Sequence, residues 1–118
     1  MYLPKKKIQE INKQRPDCIP VVVVADKNFR HVWKSPKGDS SEVRILVPKS
    51  ATLTDLRIYI LRLLKQNNSS VTDALFIAST INKKIINTIS GTPVSDIVDI
   101  HGYDGVLYLT LYTENAFG

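Results

Sequence analysis

The stretch TLTDLRIYILRLLKQ, residues 52–66, decides how the rest of the chain is read. Leu53, Leu56, Ile60, Leu63 and Leu64 recur at the spacing that lines up one stripe of a 3.6-residue helix, while Asp55, Arg62 and Gln66 fall on the far side. Thr52 stands three residues ahead of Asp55, a near match to a capping box with Asp where Glu or Gln is usual. Asn67 and Asn68 stop the helix without a glycine. Burying one Leu or Ile side chain stabilises by about 1.5 to 3 kcal/mol, so the stripe contributes on the order of 10 kcal/mol gross. Ile58, Tyr59 and Leu61 lie off the stripe. That is more apolar surface than one core face uses, and one flank of the helix is expected to meet something besides a sheet.

Working outward, Ile19-Pro-Val-Val-Val-Val-Ala25 is a β-branched run without alternation, the pattern of a strand buried on both faces. Val43 to Pro48 alternates, with Val43, Ile45 and Val47 facing one way and Arg44 and Leu46 the other, and the closing proline marks an edge strand. Between them Asp26 to Glu42 is polar and broken by Pro36 and Gly38, so a long exposed loop is expected, with Trp33 tucked onto its own domain. Pro4 to Gln14 reads as a short helix that docks through Ile8 and Ile11. After the central helix come a strand over Ala74 to Ser79, a turn at Asn82-Lys83-Lys84, a helical turn or two over Val94 to Ile100, and a turn at Gly102 to Gly105. A last strand over Val106 to Tyr112 and an extended tail from Thr113 to Gly118 complete the chain. This order predicts an α+β fold, a ubiquitin-like β-grasp in which a four-stranded mixed sheet curls around one central helix, with a short extra N-terminal helix. The expected divisions are an N-terminal helical segment at 1–15, the ubiquitin-like domain at 16–112 and an extended tail at 113–118.

The 118 residues, 43% hydrophobic and 23% charged, are those of one ordinary globular domain. The longest apolar run is far short of the roughly 20 residues that a membrane span needs. A single cysteine rules out an internal disulfide and points to the cytosol or nucleus. The net charge of +5, with Lys5, Lys6, Lys7, Lys13 and Arg15 gathered near the start, leaves phospholipid, nucleic acid and acidic peptide as candidate partners. No aromatics interleave with those lysines, so no base-stacking platform is visible and nucleic acid is not expected. His31 and His101 are isolated, Cys18 has no base nearby in sequence, and neither a glycine-rich phosphate loop nor a metal-ligand spacing occurs. Catalysis, a cofactor and a metal site are therefore not expected.

Five stretches in order resemble the autophagy ubiquitin-like modifiers, the family of microtubule-associated protein light chain 3 and the GABA-receptor-associated protein. They are Arg15-Pro-Asp-Cys-Ile-Pro-Val-Val-Val23, Arg44-Ile-Leu-Val-Pro48, Asp73-Ala-Leu-Phe76, Asp104-Gly-Val-Leu-Tyr108 and Tyr112-Thr-Glu-Asn-Ala-Phe-Gly118. The resemblance implies a non-enzymatic modifier whose terminal glycine, Gly118, is activated by an E1-like enzyme, passed to E2-like cysteines and joined to phosphatidylethanolamine, with Ala116 and Phe117 recognised in the tail. A tail without bulk at its end suits attack at the final carbonyl. Attachment to a protein lysine, and a non-conjugated basic binding module, remain the alternatives. The implied setting is the cytoplasm and, once lipidated, the autophagosome membrane, with a monomer expected and a deconjugating cysteine protease among the partners.

The resemblance further implies binding of cargo receptors that carry an aromatic residue and, three positions on, an aliphatic one, added to the edge strand by main-chain hydrogen bonds. The implied aromatic pocket is Ile11, Pro20, Val22, Arg44, Leu46 and Val106. The implied aliphatic pocket is Ile45, Val47, Pro48, Ala51, Leu56 and Tyr59. The residues taken alone read as core or strand packing. The chain departs from the family pattern in having room for one helix before the first strand, Cys18 where a basic residue is usual, Val106 where phenylalanine is usual, and Leu63 where arginine is usual.

Overall fold

The computed structural model describes residues 2–25, 42–66, 75–86 and 91–113. In chain order these form α1 (Lys5–Gln14), β1 (Cys18–Ala25), β2 (Glu42–Pro48), α2 (Leu53–Gln66), β3 (Leu75–Ser79), α3 (Val94–His101) and β4 (Leu107–Thr113). The four strands make one mixed sheet in the order β2-β1-β4-β3. β1 runs antiparallel to β2 and parallel to β4, and β3 runs antiparallel to β4. This is the α+β, ubiquitin-like arrangement expected from the order of elements, and β2 stands at the sheet edge as its closing proline implies. Several boundaries shift by one residue: Cys18 opens β1, His101 ends α3 and Thr113 ends β4. Glu42, read as loop, opens β2, and Val106, read as strand, instead closes a turn ahead of β4.

The unbroken valine run of β1 has its reason in two cores. Ile19, Val21 and Val23 join Leu53, Leu56 and Ile60 of α2, Ile97 of α3 and the leucines of β4 on one face. Val22 points to the other face and meets Leu3, Ile8, Val106 and Tyr108, beneath α1. A strand covered by helices on both sides has no place for a polar residue, and so no alternation. The stripe of α2 is fully buried at Leu53, Leu56 and Ile60. Leu63 and Leu64, expected on the same stripe, lie outside the described side chains. At the start of α2 the capping box is complete: the Thr52 amide donates to Asp55 Oδ2 at 3.0 Å and the Asp55 amide donates to Thr52 Oγ1 at 3.2 Å.

α1 is held by Ile8, by half-buried Ile11 and by an N-terminal strap in which the Leu3 amide donates to the phenol oxygen of Tyr108 at 2.9 Å. The Tyr2 ring lies edge-on to Tyr108, 4.9 Å between centroids. The turn before β4 uses Asp104 and Gly105, both at positive φ, with the amides and carbonyls of Tyr103 and Val106 paired across it. Two consecutive left-handed residues fit a type I′ turn, and an Asp-Gly pair is the sequence that adopts it most readily. The expected exposed loop over Asp26 to Glu42, with Trp33, lies outside the described residues up to position 41.

Candidate functional site

The sheet has two edges, and they are finished differently. Along β3 the Ser79 amide donates to Lys84 O at 2.9 Å and the Ile86 amide to Ile77 O at 2.8 Å, so the chain doubles back and covers that edge through the bridge Ala78↔Ile85. The turn that reverses it places Lys83 at φ 61. β2 forms the opposite edge and, among the described residues, pairs in the sheet with β1 alone. A long edge strand left this way is a template for a further strand.

Beside β2, on the face that packs against α2, lies a cavity of about 200 Å³ lined by Ile45, Leu46, Val47, Pro48, Ala51, Asp55, Leu56 and Tyr59. It brings together all the residues expected of the aliphatic pocket. Leu56 and Val47 form its buried wall, and Tyr59, 47% exposed, stands at its mouth. Of the apolar residues of α2 that lie off the stripe, Tyr59 alone lines this cavity; Ile58 is exposed and Leu61 packs against the main core. Leu46 and Asp55 also line the cavity and were not expected there. Asp55 lies one helical turn before Tyr59, an i, i+4 spacing that puts both on the same flank and was readable from the sequence.

The residues expected of the aromatic pocket gather on the other face of β2. Pro20 pairs with Leu46 and Val22 with Arg44 across the β1–β2 ladder, which places these four side by side. Leu46 is 42% exposed, Arg44 is exposed and Ile11 is half-buried. Pro20, Val22 and Val106 lie beneath them, Val22 and Val106 inside the smaller core under α1. Arg44 is held along the strand by Glu42, Nε to Oε2 at 2.9 Å. The two sets thus sit on opposite faces of one edge strand.

A second hollow, of about 420 Å³, opens at the far end of β1 and is lined by Cys18, Ile19, Lys49, Ser95 and Asp99 among others. Cys18 is buried, with Arg15 Nη2 at 3.5 Å from its sulfur. Among the described residues no cluster of three or more His, Cys, Asp or Glu gathers, and no helix is long and apolar enough to cross a membrane. The expected conjugation and tail residues Ala116, Phe117 and Gly118 lie outside the described residues.

The fold is shared with a known structure. A crystal structure of Trypanosoma brucei ATG8 superposes with a TM-score of 0.66 at 19% identity, covering 92% of this chain and 84% of that one. No family model matches the sequence, and no curated protein sequence does.

Proposed function

We propose that this chain is an autophagy ubiquitin-like modifier, conjugated through Gly118 to phosphatidylethanolamine, and that its β2 edge recruits partners bearing an aromatic-x-x-aliphatic motif. The observation that carries the recruiting half is the placing of the two pocket sets on opposite faces of β2, the strand that among the described residues stands at the sheet edge. In an extended peptide, successive side chains alternate faces, so residues an odd number apart point to opposite sides. A motif with its anchors three apart presents the aromatic ring to the Ile11, Arg44 and Leu46 side and the aliphatic group to the cavity between β2 and α2. An even spacing puts both anchors on one face and leaves the other empty. Main-chain hydrogen bonds along β2 supply the register, and the two anchors supply the selectivity.

The conjugation half rests on the likeness of fold to ATG8 and on the sequence of the tail. The chain acts there as substrate: E1-like and E2-like enzymes carry its terminal carboxyl as thioesters, and the amino group of the lipid takes it over. The cytoplasm supplies the free form and the autophagosome membrane holds the lipidated one, from which a cysteine protease releases it. The deciding experiment has two independent arms. Calorimetry with peptides whose anchors are spaced three and four apart should show binding of the first and a loss of tenfold or more for the second. Reconstitution with the conjugating enzymes and phosphatidylethanolamine liposomes should give a gel-shifted adduct, abolished by deletion of Gly118. Equal affinity for the two spacings overturns the groove, and an adduct that forms without Gly118 overturns the modifier.

A further inference from the structure

We infer that the lower end of the β1–β2 ladder is one hinge shared by both hollows, so that a peptide seated on β2 keeps the second hollow from widening onto Cys18. The inference rests on the peptide-binding reading above. Two consecutive cross-strand pairs, Cys18↔Pro48 and Ile19↔Val47, end the ladder. In each pair one member lines the cavity beside β2, and the other lines the hollow at the end of β1. The next residues repeat the pattern: Lys49 lines the second hollow and Ala51 the cavity. This segment is tied on both sides. The Lys49 amide donates to Asp17 O at 3.0 Å, the Ser95 amide to Lys49 O at 3.3 Å and the Val94 amide to Ala51 O at 2.7 Å. Parting the two terminal pairs therefore dismantles the cavity and widens the hollow onto Cys18 in one movement.

Cys18 reports that movement. It lines the second hollow yet is only 4% exposed, and it is the single cysteine of the chain. A thiol reagent reaches it when the ladder end opens. Local openings of this kind have their own free energies, below that of global unfolding. A peptide that needs Val47 and Pro48 in place binds the closed form alone and suppresses opening by the factor one plus its free concentration over Kd. Linkage requires the reverse: an adduct that props the ladder end open weakens the peptide by the same factor.

The test follows alkylation of Cys18 in the full chain by iodoacetamide, read by mass, with and without an aromatic-x-x-aliphatic peptide at about one hundred times its Kd. Alkylation should slow about a hundredfold. Calorimetry on the same sample separates the two claims: a peptide that binds without changing the rate overturns the hinge and leaves the groove standing. A peptide that does not bind overturns the groove, and because a bound peptide suppresses global unfolding by the same factor, two variants decide the hinge in either case. Val47→Ala lies at the ladder end, and Ile77→Ala lies in β3 across the sheet, buried in the same core. Compared in urea at equal global stability, Val47→Ala should speed alkylation at least about tenfold more than Ile77→Ala if opening is local. Equal acceleration means that Cys18 is reached through global unfolding, and the hinge fails.

Discussion

The phenol of Tyr108 joins the first residues of the described chain to the last strand, and it carries a pH dependence. Burial pushes its pKa above the ordinary 10.0, against the lowering effect of the Leu3 amide that donates to it. The neutral form is thus the one that the fold favours. Its stabilisation is intact below pH 10.0 and is lost as pH rises from there through the higher native value, since the unfolded chain releases the proton first. In Tyr108→Phe the fall in denaturation midpoint above that pH should be shallower than in the parent. At neutral pH the same variant leaves the buried Leu3 amide without its acceptor and should cost about 1–3 kcal/mol, with faster hydrogen exchange at that amide. Gly102 is required for a different reason. A Cβ there meets backbone oxygens of Val98 at 2.6 Å and Val106 at 2.7 Å, atoms that cannot step aside. Gly102→Ala should therefore destabilise by about 1–3 kcal/mol in urea denaturation, whereas a substitution at Gly91, in open space, should do little. Neither effect was legible in the sequence. Tyr108 read as one member of an alternating strand, because its partner lies at the opposite end of the chain.

At the scale of elements, α2 and β2 were the most legible parts because each carries its own signal, a period in one and a proline stop in the other. The capping box could be read with Asp in place of Glu, and the geometry shows why: the shorter side chain still reaches the Thr52 amide. Thr52→Ala should lower stability by about 0.5–2 kcal/mol without weakening peptide binding, because Thr52 lies outside the cavity lining. Leu46→Ala is the complementary change. It removes an exposed side chain that lines the cavity and flanks the aromatic set, so peptide affinity should fall by tenfold or more in calorimetry while the melting temperature barely moves. The residues that the sequence could not separate were Val22 and Val106. Both matched the expected aromatic pocket by position, yet both are fully buried under α1, and pattern alone does not tell a pocket floor from a core. A charge at Val22 would therefore test folding before it tested binding.

Across the whole molecule, one arrangement of charge runs against local stability. Lys5, Lys6 and Lys7 fill the first turn of α1, which holds no acidic residue, and cations at a helix N-terminus oppose its dipole. All three are exposed. On the proposed function their use is at an anionic membrane surface, worth about 1 kcal/mol per lysine brought to it. Neutralising all three should slow lipidation on anionic liposomes and leave the melting temperature unchanged or slightly raised; a large drop in melting temperature with an unaltered rate would refute this. The sheet order itself has a consequence for how the protein is made. β1, among the earliest segments to leave the ribosome, finds its parallel neighbour only in β4, from the opposite end of the chain, and β3 reaches the sheet only through that same strand. Until Leu107–Thr113 has emerged, β1 is a naked valine ribbon with half its partners missing. A nascent chain arrested before Leu107 should stay sensitive to protease and be held by chaperones, and one released a few residues later should become resistant in a single step. Synthesis thus couples completion of the sheet to delivery of the residues that follow it, and an unfinished copy has no tail to offer.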